Sequence, residues 1–316
     1  MSPTVKISII IPTYNRASLI AETLDTILAQ TFTDWECILV DDHSTDRTAE
    51  VLEAYTKKDV RIQWVLRPED RPKGANACRN YGLELSNGEF IQWFDSDDLM
   101  LPDFLRNKIS FFKSSTDCVI SKCRDLHNSG DTSAIKKYQN NENNDFTFKN
   151  YLRGTFFCFT PDLMIRKNKV IDTEFNEHLQ SGQEYHFFLK LLAFSRLQTV
   201  FINKELTLRR IHDGSVQELQ KKDQLKVAFS KCFSRMAVLN DTSEKIDPED
   251  RIYLINEIIL NAYILRLNNK EIPFLKDFLV RLNKEKGFLK KKAFDIAMFL
   301  AANYKKGYKL MNYARS

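Results

Sequence analysis

The sequence contains few of the residues that break or cross-link a chain. It has nine Gly and eight Pro among 316 residues, too few for long disordered tracts. It has six Cys, but no CxxC pair and no zinc-type spacing. Cys37 and Cys118 stand in apolar, strand-like runs, where a reduced, buried thiol is the usual state. The sequence therefore indicates a globular protein with neither a zinc centre nor a disulfide framework.

Long apolar runs and a recognisable targeting segment are also missing. No run reaches the roughly 18–20 apolar residues that a membrane-spanning helix needs. The first apolar run, Val5–Ile11, begins too early for a signal peptide and has no basic flank or cleavage site. We therefore expect a cytoplasmic protein, either free or peripheral at the inner face of the membrane.

Neither sign of charge dominates the sequence. Lys and Arg number 47 and Asp and Glu number 42, which gives a net charge of +5. A mild positive balance suits a protein that handles anionic ligands or touches an anionic surface. The charge is too small and too dispersed to indicate nucleic-acid binding, so we expect no nucleic-acid partner.

The first 115 residues alternate between short apolar runs and amphipathic helices. Four buried strands are predicted, at Val5–Ile11, Glu36–Val40, Val60–Leu66 and Phe90–Phe94. Helices such as Ser18–Gln30 lie between them. This alternation predicts a Rossmann-like α/β fold, in which a mainly parallel sheet has helices on both faces. Ligands of such sheets bind beyond the carboxyl ends of the strands.

The pattern changes later in the chain. Residues 125–150 are polar and predict an irregular loop, whereas Phe156–Ile165 and Thr199–Arg210 predict further strands. After about residue 216 the sequence predicts only amphipathic helices, at Leu219–Leu239, Pro248–Leu267, Pro273–Leu282 and Lys292–Tyr304. We therefore expect a first domain of residues 1–215 and a helical C-terminal region of residues 216–316.

Three polar clusters follow predicted strands, where ligands are expected. In Asp95–Asp98, three of the four residues are carboxylates, which repel one another unless a cation or hydrogen-bond donors hold them. Mg²⁺ or Mn²⁺, which prefer oxygen ligands, would suit them, and a solvated helix start is the alternative. Asp42 can accept hydrogen bonds from a base or ribose, and Pro12–Arg16 can frame a base. Ordinary βα turns explain these last two segments equally well.

A basic segment lies between the third and fourth predicted strands. Gly74 can begin a helix, and a helix N-terminus attracts phosphate. Lys73 and Arg79 add positive charge, and an Arg side chain can donate two hydrogen bonds to phosphate oxygens. The alternative is a helix with solvated basic residues.

Four of these segments together resemble glycosyltransferase family 2. They are Ser8–Arg16, Ile38–Asp46, Ala77–Gly82 and Gly88–Asp98, and they occur in the order typical of the family. The resemblance implies the A-type glycosyltransferase (GT-A) fold, an inverting mechanism and a nucleotide-diphosphate sugar as donor, most often a UDP-sugar. Residues 1–115 would then form the nucleotide-sugar half of the catalytic domain, and residues 116–215 the acceptor half.

The resemblance also implies roles for individual residues. Asp42 would bind the base, while Asp97 would hold the metal ion, Mn²⁺ or Mg²⁺, with Asp95 nearer the ribose and the metal-bound waters. Pro12, Thr13 and Tyr14 would line the pocket of the base and ribose. The residues expected to contact the nucleotide-sugar are Pro12, Thr13, Tyr14, Arg16, Asp42, Lys73, Arg79, Asp95 and Arg210.

Two later segments extend the resemblance. Gly182–His186 is similar to the glycine-acid-acid segment of the family, in which the second acid is the catalytic base. Glu184 stands at that position, although Gln183 replaces the commoner first acid. Residues 210–212 resemble the Arg-x-His ending of the family, in which Arg210 would bind phosphate and His212 would contact the metal or the diphosphate.

Two other classes of protein remain open on the sequence. A degenerate GT-A protein would bind a nucleotide or a partner without turnover, although the intact acidic cluster argues against it. A sugar-phosphate nucleotidyltransferase also combines a Rossmann-like sheet with Mg²⁺. It needs a glycine-rich phosphate loop after the first strand, however, and Pro12–Arg16 contains no Gly.

The C-terminal segment Lys284–Ser316 is rich in Lys, interleaved with Phe, Tyr and Met. It predicts either a peripheral contact with an anionic membrane or a helix packed on the catalytic domain with a solvated basic face. A membrane contact would suit a lipid-linked acceptor. We expect the acceptor to be a saccharide or a lipid-linked saccharide, in the synthesis of a bacterial surface polysaccharide.

Overall fold

The computed structural model describes residues 6–211 and 223–316. These residues form two compact units. The first, which we call the sheet unit, comprises residues 6–178 and 195–211. The second, which we call the helical unit, comprises residues 179–194 and 223–316.

The sheet unit begins with the predicted alternation of strands and helices. Strands β1 to β4 and helices α1 to α3 occupy, in chain order, Ile7–Thr13 (β1), Ile20–Leu28 (α1), Trp35–Asp41 (β2), Thr48–Lys58 (α2), Ile62–Leu66 (β3), Ala75–Leu85 (α3) and Phe90–Trp93 (β4). Strand β1 pairs in parallel with β2 and β4, and β2 pairs in parallel with β3. The predicted α/β architecture is confirmed in this half of the unit.

The rest of the sheet unit contains shorter elements and mixed pairing. They are Leu99–Met100 (β5), Phe104–Ser110 (α4), Cys118–Leu126 (β6), Thr132–Ala134 (β7), Phe148–Arg153 (α5), Leu163–Arg166 (β8) and Thr199–Arg210 (β9). The strand order of the described sheet is β3-β2-β1-β4-β8-β6-β9-β5, with β7 paired to β6. Strand β8 is antiparallel to both of its neighbours, so the sheet is parallel in its first half and mixed in its second.

The centre of the sheet is buried on both faces. Every residue of β1 and β2 is buried, as expected for strands covered by helices on each side. Gly82 lets helix α3 approach β1, because a Cβ atom at that position would lie 2.3 Å from Cγ2 of Ile10. This close packing holds the ends of the neighbouring strands in a fixed register.

The helical unit contains six helices among its described residues. They are Gln183–Phe194 (α6), Gln224–Thr242 (α7), Pro248–Leu267 (α8), Leu275–Lys286 (α9), Phe288–Tyr304 (α10) and Tyr308–Arg315 (α11). Helix α8 supplies fully buried Leu254, Ile258 and Ile259 to the core of this unit. Helix α6 belongs to the same compact unit as the C-terminal helices, whereas the sequence analysis placed it in the first domain. The boundary expected near residue 216 stays a prediction.

The structure can be compared with two expectations of the sequence analysis, which concern disulfide bonds and membrane-spanning helices. All six cysteine thiols are buried and free, as predicted for a chain without disulfides. Over residues 6–211 and 223–316, none of the helices combines the length and the apolar character required to cross a membrane.

Candidate active site

The carboxyl ends of β1, β2 and β3 meet at one edge of the sheet. Thr13 and Asp41 are paired in the β1–β2 register, and the amide of Asp42 donates to the carbonyl oxygen of Thr13 at 2.9 Å. The amide of Arg67 then donates to the carbonyl oxygen of Asp41 at 2.9 Å. These bonds bring the predicted residues Pro12 and Thr13 beside Asp42.

Asp42 forms a buried ion pair that the sequence did not predict. The Nε atom of Arg67 donates to its carboxylate, and the two residues are 8% and 5% exposed. The same guanidinium donates to the carbonyl oxygen of Pro68 at 2.8 Å. Because a buried Arg–Asp pair fixes both planar groups, Asp42 is held at the strand end with a defined orientation. The sequence signal that could have identified this pair was Arg67 itself, a basic residue directly after the third predicted strand.

The loops after β1 and β2 hold each other by side-chain hydrogen bonds. The amide of Asn15 donates to Oγ of Ser44, and the amide of Thr45 donates to Oδ1 of Asn15, each at 2.8 Å. Asn15 and His43 have positive φ values of 50° and 59°, a conformation that is uncommon outside Gly. Ser44 and its neighbours therefore form the capped βα turn that was the alternative interpretation of this segment.

Tyr14 and Lys73, both predicted to contact the nucleotide-sugar, lie next to each other. The Nζ atom of Lys73 is 3.9 Å from the centroid of the Tyr14 ring, and Tyr14 is 37% exposed. A cation above an aromatic face is held by the ring quadrupole. The pair places an aromatic surface and a positive charge together beside the β1 loop.

The acidic cluster after β4 brings three carboxylates close together, and two of them have raised pKa values. Asp98 is 2% exposed, and burial together with the charges of Asp95 and Asp97 raises its pKa well above the usual range. The pKa of Asp95 is also raised, chiefly by desolvation, although Nη2 of Arg79 lies 3.0 Å from its Oδ1 atom. Like charges held together in this way favour a cation.

Two arginines predicted from the sequence reach this cluster. The Nε atom of Arg16 lies 3.4 Å from Oδ2 of Asp97. Arg210, at the end of β9, donates its amide to Oδ1 of Asp98 at 3.0 Å and its Nε–H to the carbonyl oxygen of Asp97 at 3.1 Å. The Arg210 guanidinium is also paired with the exposed Glu22 at 2.6 Å. Arg16 and Arg79 pair with cluster carboxylates, and with Arg210 nearby the three arginines supply the kind of side chain that binds phosphate oxygens.

The donor chemistry of the cluster suits a hard divalent cation. Asp97 offers a partly exposed carboxylate, and the raised pKa values of Asp95 and Asp98 reflect negative charge that such a cation would offset. Over residues 6–211 and 223–316, no group of three or more His, Cys, Asp or Glu side chains is arranged as a metal site. His212, the other predicted metal contact, lies outside the described residues.

Glu184, the predicted base, lies in the first turn of α6 in the helical unit. The turn before it depends on Gly182, whose φ is +69° and whose added Cβ would lie 2.7 Å from Cβ of Ser234. Residues other than Gly rarely adopt this φ, and any side chain here would clash with Ser234. The turn therefore requires Gly at this position. Helix α7, which carries Ser234, therefore sets the position of the turn that precedes Glu184.

A second contact between α6 and α7 involves a residue to which the sequence assigned no role. His186 is fully buried, and its Nε2 atom lies 2.9 Å from Oδ2 of Asp241. Lys190 lies 3.7 Å from the same oxygen. The hydrogen bond to His186, more than any other contact, lowers the pKa of Asp241. Asp241 is 55 residues away in sequence, so no local pattern could have found this pair.

The fold is that of an A-type glycosyltransferase. The chain belongs to glycosyltransferase family 2, because the sequence model described as "Glycosyl transferase family 2" matches residues 8–175, more than half of its length. The resemblance stated from the motifs is confirmed.

A curated relative matches almost the whole chain. It is the GalNAc(5)-diNAcBac-PP-undecaprenol beta-1,3-glucosyltransferase of Campylobacter jejuni, which is 25% identical over 316 residues, or 97% of this chain and 87% of the relative. Its name describes a sugar transferred to a lipid-linked saccharide.

Two solved structures share the fold. Residues 1–349 of S. aureus TarS, in complex with UDP-GlcNAc, align with a TM-score of 0.65 at 17% identity, covering 98% of this chain and 89% of that one. The mannosyltransferase PcManGT of Pyrobaculum calidifontis, with GDP-Man and Mn²⁺, aligns with a TM-score of 0.55 at 19% identity, covering 98% and 84%. At these identities the similarity concerns the fold, including the C-terminal helices.

Proposed function

We propose that this glycosyltransferase moves a sugar from a UDP-sugar to an acceptor hydroxyl, with inversion and with a divalent cation. The observation that carries the proposal is the cluster of Asp95, Asp97 and Asp98 at the end of β4, surrounded by three arginines. A diphosphate and a cation bring opposite charges that complement both parts of this arrangement.

The base of the donor would lie against the Asp42–Arg67 pair. Arg67 holds one carboxylate oxygen of Asp42, so the other oxygen can accept the N–H of a uracil ring. A guanine ring also presents an N–H group to a carboxylate, so the preference for uracil is supported by the UDP-GlcNAc complex of TarS rather than by the pair itself. Pro12 and Tyr14 would flank the base and ribose, as the family resemblance implies.

The diphosphate would lie among the arginines of the cluster. Asp97, with Asp95 close by, would hold a divalent cation, which would supply positive charge against the charge that builds on the leaving nucleotide. Arg16 pairs with Asp97 in this structure, and it would turn to a phosphate oxygen when the donor binds. Arg79, Arg210 and Lys73 would supply further positive charge.

Glu184 would act as the general base. Its carboxylate would take the proton of the acceptor hydroxyl as that oxygen attacks the anomeric carbon from the face opposite the diphosphate. An α-linked donor sugar would then become β-linked in the product. The position of Glu184 in the glycine-acid-acid segment supports this role, and the two contacts with α7 would keep its helix in place.

The acceptor would be a saccharide on a lipid carrier, in the synthesis of a bacterial surface polysaccharide. The name of the Campylobacter jejuni relative supports this class of acceptor. A cytoplasmic enzyme that can reach the inner face of the membrane would meet both a soluble donor and such an acceptor.

Calorimetry with UDP and GDP, each with and without Mn²⁺ or Mg²⁺, tests the proposal. We expect UDP to bind in the presence of the cation and GDP to bind at least about 10-fold more weakly, because the smaller uracil ring is the base proposed to fit between Pro12, Tyr14 and Asp42. Slow hydrolysis of one UDP-sugar from a panel would then separate an active enzyme from a degenerate binding protein. Absence of affinity for either nucleotide with both cations would refute the proposed donor and the cation together.

A further inference from the structure

Helix α10 has an apolar surface on the side opposite its core. Ala293, Phe294, Ala297, Met298 and Ala301 point into the helical unit and are buried. We call the opposite side the outer face; it consists of Phe288, Leu289, Lys292, Ile296, Phe299 and Asn303. At 100° per residue these six positions fall within a sector of about 100°. Phe288, Leu289 and Phe299 are 64%, 67% and 59% exposed.

Such a face is unusual on a helix that has already buried one side. The side of an amphipathic helix that faces water normally carries polar residues, and single exposed apolar residues are scattered. Here four of the six positions are large and apolar, and all four exceed 40% exposure. Contiguous apolar surface of this kind usually marks a binding surface.

The excess of positive charge in the protein lies in the segment of the chain that contains the outer face. Residues 288–316 contain six Lys and one Arg but a single acid, Asp295, which is paired with Lys291 at 2.8 Å. Of the 47 basic and 42 acidic residues, this leaves 40 and 41 in the remainder of the chain. Four of the lysines, Lys292, Lys305, Lys306 and Lys309, are exposed.

Exposed aromatic rings accompany these lysines. Tyr304 and Tyr308 are each 62% exposed, and Tyr313 is 46% exposed. Tyr side chains combine an apolar ring with a polar tip and are favoured at the boundary between lipid and water. A short helix with apolar residues, flanking Lys and Tyr has the composition of a helix that lies in a membrane interface.

We propose that the outer face of α10 and the lysines around it bind an anionic phospholipid surface. The apolar side chains would enter the boundary between headgroups and acyl chains, and the lysines would contact the phosphates. A second copy of the chain fits less well as the occupant, because a symmetric contact would bring two strongly positive segments together. This membrane binding would not depend on which sugar the enzyme transfers, so the proposal goes beyond the proposed reaction.

Sedimentation of the full chain with vesicles tests the proposal. One vesicle contains phosphatidylcholine alone, and the other also contains phosphatidylglycerol. We expect binding to the second vesicle and loss of that binding at high salt. The double variant Leu289→Ser and Phe299→Ser should lower the partition coefficient at least about 10-fold. The triple variant Lys292→Gln, Lys306→Gln and Lys309→Gln should lower it about 10- to 100-fold.

Matched controls distinguish a loss of binding caused by the outer face from one caused by any change in the polarity or charge of the surface. Val280 is 72% exposed on α9 and lies outside the outer face, so Val280→Ser should bind vesicles as the wild type does. Lys57→Gln with Lys58→Gln removes exposed charge from α2 and should also have no effect. Melting curves and UDP affinity should be unchanged in every variant, which keeps this result distinct from a failure of the proposed reaction.

Three results would overturn the proposal. The first is equal partition of the wild type and the double face variant. The second is binding of the wild type to neither vesicle. The third is a dimer in light scattering that the face variant turns into a monomer, since the outer face would then be an interface between two copies.

Discussion

The carboxylates compared in the sheet unit and in the helical unit have pKa shifts of opposite direction. In the sheet unit, Asp95 and Asp98 have raised pKa values because burial and neighbouring carboxylates oppose their charge. In the helical unit, the pKa of Asp241 is lowered because a hydrogen bond from His186 supports its charge. In the first arrangement the carboxylates oppose one another, whereas in the second α6 supplies the partner of Asp241 within the same unit.

This difference distinguishes the acidic cluster, a candidate ligand site, from the His186–Asp241 contact, which joins two helices of the fold. A cluster of carboxylates with raised pKa values is a candidate binding site, because a bound cation would offset their charge. A matched pair between two helices fixes their relative position and needs no ligand. Substitutions in the two units should therefore have different effects on donor binding, transfer and stability.

The largest effect is expected for Asp97→Asn in the sheet unit. Loss of this carboxylate removes the proposed ligand of the cation, so donor hydrolysis and transfer should fall at least about 10³-fold. The free energy of unfolding should stay the same or rise, because repulsion with Asp98 decreases. Transfer rates and urea unfolding measure the two quantities.

Asp103→Asn is the matched control for this substitution. Asp103 lies six residues further along the chain and is exposed, and its Oδ1 accepts from Oγ1 of Thr31 at 2.6 Å. This variant should keep normal transfer. The contrast between the units is wrong if Asp97→Asn unfolds the protein, because the cluster would then stabilise the fold rather than bind a ligand.

A smaller effect is expected for Glu184→Gln in the helical unit. Without the carboxylate no base takes the acceptor proton, so transfer should fall about 10²- to 10³-fold. Affinity for UDP, measured by calorimetry, should be unchanged, because the proposed donor contacts lie in the sheet unit. Glu244→Gln, which changes an exposed acid of the same unit, should have no effect. Normal transfer by Glu184→Gln would remove this residue from the mechanism.

The fold could be predicted where the apolar pattern was dense. Strands β1 and β2 are buried on both faces, so their continuous apolar runs identified them. The strand predicted at Phe156–Ile165 was wrong at its start. A 3₁₀ turn at Thr160–Asp162 delays β8 until Leu163, because Pro161 cannot donate to a strand ladder. The loop expected over residues 125–150 contains β7, a 3₁₀ segment at Lys136–Asn143 and the start of α5, which are too short to give a periodic signal.

The site could be predicted where its residues follow one another in sequence. Asp95, Asp97 and Asp98 form one segment, so composition alone indicated charge repulsion. Arg67 was missed because its pairing with Asp42 depends on the register of β2 and β3, which the sequence does not specify. The roles of the individual site residues stay predictions, and His212 lies outside the described residues.

The smallest effect is expected for Asp241→Asn, which tests the matched pair of the helical unit. An Asn side chain can still accept from Nε2 of His186, but it lacks the charge that strengthens the bond. The helix that carries Glu184 should then be held less firmly, and kcat for transfer should fall about 10-fold without a change in the KM for the donor.

The pH dependence of stability gives this prediction a second readout. Because the pKa of Asp241 is lower in the folded chain than in the unfolded chain, its charge stabilises the fold above the unfolded value and ceases to do so as the pH falls through the folded value. Urea unfolding at neutral pH should therefore distinguish the wild type from Asp241→Asn, and the difference should shrink in acid. Asp295→Asn, which removes a carboxylate from an exposed pair with Lys291, should leave kcat unchanged. A normal kcat in Asp241→Asn would mean that the pair stabilises the helical unit without positioning the base.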